Sequence, residues 1–189
     1  MNSGIYNDKI TIIIVSFHSN QIIENLINSI EKNIKILIVE NSLDQKLKID
    51  LEKKFKNVQV IIPKRNLGNG GGINFGMRLV KTKFSLYLDA DVIPDKNMTN
   101  VLLKNTEKIN NFFILAPKEQ NYRYGKDQYI KYDKNKSCHK MRFIAGCALL
   151  FNMKSLNKTG YFDENIFLYF EEFDLYYRCL KLGLDIYLI

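Results

Sequence analysis

The chain has little of what staples or metal-tethers a small fold. It carries three cysteines, Cys138, Cys147 and Cys179, and two histidines, His18 and His139, among 189 residues. The cysteines are odd in number, far apart and without a CxxC pair, which argues against both a disulfide framework and a zinc site. A reducing cytoplasm fits that usage. Long apolar runs are also missing. The longest, near ITIIIVSF and FIAGCALLF, are about half of what a membrane-spanning helix needs. The N-terminal MNSGIYNDK lacks the basic-then-apolar pattern of a signal peptide. No internal repeat is visible. Neither the phosphate loop GxxxxGK followed by Ser or Thr nor the dinucleotide fingerprint GxGxxG occurs, so two common nucleotide sites are unsupported.

What is present is a globular composition, 46% hydrophobic, with 28 Lys and Arg against 20 Asp and Glu for a net charge of +8. A basic surplus suits nucleic acid, an anionic membrane surface or a phosphorylated ligand. The lysines are spread along the chain, so the surplus reads as a solvated surface. The expected location is cytoplasmic, with lysine contact to the cytoplasmic face of a membrane left open.

Strand and helix patterns alternate. Lys9–Val15, Ile34–Val39, Val58–Ile62 and Phe84–Leu88 read as buried strands, Pro63 stopping the third. Helical spacing links Ile22, Ile23, Leu26, Ile27 and Ile30 behind Ser19 and Asn20 as caps. It recurs at Leu47, Leu51 and Phe55, and over Asn97–Ile109. A glycine-rich loop and short helix span Gly68–Lys81. Phe112–Ala116, Phe143–Phe151 and Asp185–Ile189 complete the strands, and Glu171–Leu182 is a helix closed by Gly183. Between them Pro117–Lys140 carries seven Lys or Arg and four tyrosines without periodicity. It reads as an irregular insertion. Its basic and aromatic residues could bind single-stranded nucleic acid, but no other element supports that. Alternation of this kind implies an α/β fold with right-handed crossovers and a mostly parallel sheet.

In such sheets ligands collect at the carboxyl ends of the strands. Four polar strand ends meet there: Ser16–Asn20, Glu40 with Asn41, Arg65–Gly72, and Asp89-Ala90-Asp91. The last closes a core strand with two like charges, which burial makes costly. A hard divalent cation shared by Asp89 and Asp91 would relieve the repulsion, with phosphate oxygens and water completing its shell. The loop RNLGNGGGINFG permits close backbone approach and could hold an anion at a helix start, or serve as tight packing. Glu171, Glu172 and Asp174 crowd the first turn of a helix, where acids complement the dipole. Asp174 and Arg178 are spaced to pair. A carboxylate here, near Phe167 and Phe170, could also act as a base. His139 reads as exposed, and His18 as a rim contact.

In this order TIIIVSFHSN, IVENS, RNLGNGGGINFGM, LYLDADV, FIAGCALLF and GYFDENIFLYFEEFDLYYRCLKLG resemble the family 2 glycosyltransferases, over about Ile10–Ile189. The resemblance implies the GT-A fold, a mixed, mostly parallel sheet flanked by helices with a Rossmann-like N-terminal half. It implies one domain, 1–189, with residues 1–116 holding the nucleotide sugar and 117–189 the acceptor. Ser16, Phe17 and His18 would line the nucleotide pocket with Glu40, Asn41 and Ala90. Glu40 would stand where Asp usually contacts the base. Arg65, Asn66, Gly68, Gly72 and Asn74 would form the loop beside the nucleotide, and Gly146 would flank the acceptor. Asp89 and Asp91 would hold Mg²⁺ or Mn²⁺, Asp91 more directly. Glu172 would be the base where the family usually has Asp, with Asp174 in reserve and Glu171 beside it.

The implied reaction is inverting, metal-dependent transfer from a UDP- or dTDP-sugar to a glycan or lipid-linked acceptor, as in cell-surface polysaccharide synthesis. The resemblance stops short of elements that family members usually carry after the last strand. A binding-only relative or fragment is therefore the alternative reading, and a nucleotidyltransferase the enzymatic rival.

Overall fold

The structure is a computed structural model that describes residues 8–118, 136–144 and 146–189. Its elements in chain order are β1 Ile10–Ser16, α1 Ile23–Ser29, β2 Lys35–Glu40, α2 Gln45–Lys54, β3 Val58–Ile61, α3 Gly68–Met77 and β4 Phe84–Asp89. There follow α4 Met98–Lys108, β5 Phe112–Ala116, β6 His139–Met141, β7 Ala148–Asn152, α5 Met153–Thr159, α6 Glu171–Lys181 and β8 Asp185–Leu188.

All the strands join one mixed sheet in the order β3-β2-β1-β4-β7-β5-β8-β6. β3, β2, β1 and β4 pair with one another in parallel, and β5 pairs in parallel with β8. β7 runs against β4 and β5, and β6 against β8. The central strands are buried on both faces, which is why they read as unbroken apolar runs rather than alternating ones. Ile10, Ile12 and Ile14 of β1 join α1, α2 and α4 in one core layer, while Ile13 joins α3, α5 and α6 in the other. That is the sandwich of helices around a sheet that the alternating pattern implies.

Three expectations are corrected. The strand expected from Phe143 starts at Ala148, because β4 ends at Asp89, whose N–H donates to the Cys147 carbonyl (2.9 Å). Between Arg142 and Cys147 the described residues belong to no strand. Phe143 turns instead to α6, where its ring stacks on Phe173 and the Tyr176 hydroxyl donates to the Ile144 carbonyl. Ser19 and Asn20 do not cap α1 with their side chains: the Ser19 carbonyl accepts from Ile22 and Ile23, and Asn20 donates to Asp44. His139, expected to be exposed in a loop, is buried in the short edge strand β6, which like helix α5 was not legible. α5 is brief, capped by Asn152, whose side chain accepts from Lys154 N–H (3.1 Å). Of the expected insertion, residues 119–135 lie outside the described residues, and with them the basic, tyrosine-rich stretch.

Candidate active site

Parallel pairing brings the polar strand ends to one rim. Ser16 is level with Glu40, and Val15 with Asp89. Ser16 and Glu40 are both fully buried. Glu40 Oε1 accepts from the Ser42 N–H (2.8 Å) and the Ser42 hydroxyl, while Oε2 and the Ser16 hydroxyl have no hydrogen-bond partner. Buried polar atoms are nearly always satisfied, so two orphans on one rim are an opening for a ligand. Phe17 and His18 extend outward, exposed, their rings 4.4 Å apart, with His18 in left-handed backbone (φ 53). Asn41 is buried and ties the rim together: its Nδ2 donates to the Gly68 carbonyl (2.8 Å) and its N–H to the Ser16 carbonyl (2.7 Å).

Beside this rim lies a cleft of about 420 Å³ whose walls include Asn69, Tyr87, Asp89, Gly146, Cys147, Glu171 and Glu172. A run of polar contacts crosses it. Asn69 Nδ2 donates to Glu171 Oε1 (2.8 Å), and the Tyr87 hydroxyl sits between Asn69 Oδ1 (3.0 Å) and the Asp89 carboxylate, to which it donates. Tyr87 and Asp89 are two apart on β4 and therefore share a face. Glu171 Oε2 is buried and has no partner. Glu172 lies against the Gly146 backbone, where an added Cβ would be 3.6 Å from its Oε1.

The electrostatics are those of carboxylates held close. Burial raises the Asp89 carboxyl above its usual range; the Tyr87 hydroxyl opposes this, and the Asp91 and Glu171 charges add to it. Burial likewise raises Glu172, with repulsion from Glu171 and Asp89 behind it. Burial and the Asp89 charge push the Tyr87 phenol well up, so it stays a donor.

Local sequence explains how the wall is built. Gly68 opens α3 at φ 72, and the Asn69 N–H donates to the Phe167 carbonyl (2.9 Å). A side chain at Gly72 would come within 2.9 Å of Val15 and 3.0 Å of the Asn41 amide. That glycine is there for close packing of α3 on the sheet. Asn74 is fully buried and clasps the segment before α6: its Nδ2 donates to the Phe162 carbonyl (2.9 Å) and Glu164 (3.0 Å), and its Oδ1 accepts from Phe162 N–H (3.0 Å).

The expected site residues thus fall into groups. Asp89, Gly146, Glu171 and Glu172 meet in the cleft. Asp91 and Ala90 face a second groove of about 220 Å³, against Ile22, Asn25 and Leu26 of the α1 side. Asp174 is held by Arg178 at 2.7 Å, the i, i+4 pair the spacing implies, and that guanidinium also donates to the Thr159 and Tyr161 carbonyls. Asn66 accepts from the Gly68 N–H (2.9 Å) and Arg65 is exposed. Asn69 and Tyr87 were not anticipated. The readable signal for Tyr87 was a phenol in an apolar strand two residues before an acid.

Among the described residues no three metal-binding side chains converge. Asp89 and Asp91 are of the donor type that a hard dication takes, with Asp91 facing the neighbouring groove. Asp89 is disfavoured as an anion by burial and by two neighbouring carboxylates. Two carboxylates completed by phosphate oxygens and water is the usual donor set of Mg²⁺.

The sequence profile described as glycosyl transferase family 2 matches residues 11–160. Among solved structures the chain is similar to S. aureus TarS 1-349, with a TM-score of 0.71 and 19% identity over 96% of this chain and 58% of that one. It is similar to GalNAc-T7 with UDP, GalNAc and Mn²⁺, at TM-score 0.72 and 15% identity over 96% of this chain and 42% of that one. It is similar to the mannosyltransferase PcManGT from Pyrobaculum calidifontis with GDP-Man and Mn²⁺, at TM-score 0.68 and 12% identity over 96% and 55%. The chain therefore spans between 42% and 58% of the length of these three. No curated protein sequence matches it. Among the described residues no helix is long and apolar enough to cross a membrane.

Proposed function

The chain belongs to glycosyl transferase family 2 and has the GT-A fold, and from that membership we propose that it transfers a sugar from a nucleotide-diphosphate donor to an acceptor hydroxyl with inversion. The observation that carries the reading is the cleft in which Asp89 on β4 and Glu172 on α6 look into one space of about 420 Å³. One carboxylate belongs to the donor side and the other to the acceptor side.

Glu172 is the base. It is half-buried and its carboxyl is raised by burial. Such a shift favours taking a proton near neutral pH. The acceptor oxygen attacks the anomeric carbon as its proton passes to Glu172 and the bond to the diphosphate breaks. Attack from the face opposite the diphosphate inverts the centre. Glu171, held by Asn69, presents Oε2 as an acceptor for a sugar hydroxyl. Ser16 and Glu40 Oε2, both without partners, line the nucleoside side. A bound Mg²⁺ or Mn²⁺ supplies charge neutralisation at the departing diphosphate, with Asp91 and Asp89 as the residues that would hold it. Neighbours that carry UDP, UDP-GlcNAc and GDP-Man support a nucleotide-sugar donor. A glycan or lipid-linked acceptor in polysaccharide synthesis and a cytoplasmic location, on or off a membrane surface, complete the proposal.

The test is a thermal-shift screen of UDP-, dTDP- and GDP-sugars with and without Mn²⁺, followed by product analysis. A ligand of the folded state raises Tm by mass action. Asp91→Asn is expected to abolish turnover and leave Tm without ligand in place. No nucleotide-dependent shift and no product from any donor would refute the reading. Glu171-Glu172, where the family usually has Glu-Asp, favours a second reading: donor binding without transfer. Calorimetric binding with no product on any acceptor distinguishes it.

A further inference from the structure

Among the described residues, the exposed large aromatics other than Phe17 are Phe143 and five that fall within eleven positions, Phe167, Tyr169, Phe170, Phe173 and Tyr177. They are between 38% (Phe143) and 71% (Tyr169) exposed. A contiguous apolar patch of this kind marks a binding surface. It has a definite form. Phe173 stacks on Phe143 at 5.0 Å and meets Phe170 at 5.8 Å. Tyr177, one turn further along α6, carries the Lys181 ammonium 4.4 Å over its ring. Helix α6 is thus aromatic on its outer face as well as apolar on its inner one, where Leu175, Tyr176 and Cys179 are buried. Tyr169 and Phe170 hold left-handed backbone, φ 65 and 67, which bulky side chains avoid. Both rings are exposed, and Tyr169 with Leu168 also lines the cleft beside Glu172. Shelf and cleft are one surface.

A bilayer could use the same apolar area, and the local charge argues against it. From Asp163 to Lys181 there are five acids (Asp163, Glu164, Glu171, Glu172, Asp174) and two bases (Arg178, Lys181); with the exposed Arg142 beside Phe143 the surroundings of the shelf carry a net of −2 in a chain of +8. Peripheral membrane segments are basic where they touch anionic lipid. This one is acidic instead. A neutral saccharide is complementary on both counts, since its ring face is apolar and its hydroxyls can donate to carboxylates.

We propose that the shelf is the docking surface of an uncharged saccharide acceptor, whose rings stack on Phe170, Phe173 and Tyr177 and present a hydroxyl to Glu172. The proposal rests on the glycosyl-transfer reading above. Seven residues separate Phe170 from Tyr177, about 10 Å along a helix. That length suits an oligosaccharide end rather than a single sugar.

The test screens neutral gluco-, galacto-, manno- and N-acetylglucosamine oligomers by saturation-transfer NMR against the full chain. The variants are Phe170→Gly, which suits the left-handed backbone, Tyr177→Ser on the helix, and Phe170→Tyr, which keeps the ring. At least one oligomer is expected to bind, with Kd raised about five- to tenfold in Phe170→Gly and Tyr177→Ser and restored in Phe170→Tyr. Binding of no oligomer, or equal binding by all four proteins, overturns the proposal. So does sedimentation with phosphatidylcholine vesicles containing phosphatidylglycerol that Tyr177→Ser abolishes, or self-association lost in the same variant. Wild-type thermal shifts with nucleotide sugars are measured first. Their absence defeats the glycosyl-transfer reading, whereas their presence without saccharide at the shelf defeats this proposal alone.

Discussion

Replacing Gly68 by alanine should cost the fold several times what the same change costs at Gly183, although both hold left-handed backbone, φ 72 and 65. An alanine in that region costs about 1–2 kcal/mol, and restricting the unfolded chain returns about 0.4–1 kcal/mol. At Gly183 nothing lies within 4 Å of the added Cβ, so the net is about 1 kcal/mol. At Gly68 the Cβ would sit 2.1 Å from the Phe167 carbonyl oxygen and 2.9 Å from its carbon. That oxygen is backbone and accepts the Asn69 N–H. Forcing it aside adds about 1–3 kcal/mol of overpacking and about 1 kcal/mol for the bond, giving roughly 3–5 kcal/mol in all. For a chain of this size each kcal/mol lowers Tm by about 2–4 °C. Thermal melts should therefore show a fall of a few degrees for Gly183→Ala and on the order of 10 °C for Gly68→Ala. Phe167 stands four residues before Glu171, so a displacement of about 1 Å also reaches the cleft, where it can cost on the order of 100-fold in rate. Equal melting shifts in the two variants, or full turnover in Gly68→Ala, would refute the packing argument.

The acid limb of kcat/KM is expected above the usual glutamate range, because burial and then Glu171 and Asp89 raise Glu172; Glu171→Gln should move that limb to lower pH, and a limb that stays put would remove Glu172 from the role of titrating base. Asp89 and Glu172 both have folded pKa values above their unfolded ones, so the folded chain keeps protons that the unfolded chain has lost, and stability falls as pH rises through that window. Mn²⁺ should then raise Tm more above the window than below it, and a shift indifferent to pH would contradict the arrangement. Tyr87→Phe deletes the donor to Asp89 and leaves the ring's packing; about 1–3 kcal/mol of stability and about tenfold in Mn²⁺ affinity should be lost. Unchanged Mn²⁺ titrations monitored by electron spin resonance would show that the phenol does not orient the carboxylate.

Much of the fold could be read because its strands are apolar for one reason, burial on both faces. Ile12, Ile13 and Ile14 point to alternate layers, yet none is exposed. A run of that kind admits little else than a central strand, and the helices between such runs dictate the crossovers. The elements that escaped notice depend on partners distant in sequence. Ala148 begins its strand opposite Leu88, one residue before β4 ends at Asp89, and no local pattern announces where a neighbour stops. α5 is seven residues long, too short for a hydrophobic period to stand out from noise.

The site divides along the same line. Asp89, Gly146, Glu171 and Glu172 were legible because acids at strand and helix ends are conspicuous in sequence. What decides their chemistry was not legible, since it is a cross-chain arrangement. Asn69 reaches Glu171 across 102 positions and Tyr87 across 18. The glycines show the reverse case. Their number in RNLGNGGGINFG suggests a loop open to phosphate, but Gly70 faces Phe162 and Glu171, Gly72 faces Val15 and Gly76 faces Ile13. Their absent side chains let α3 lie close on the sheet. That closeness puts Asn69 within reach of both Tyr87 on the strand and Glu171 on α6. Glycine here acts on the chemistry at second hand: it sets the width of the gap that the Asn69 amide spans, and a bulkier residue at Gly72 or Gly76 should loosen the carboxylates without touching them.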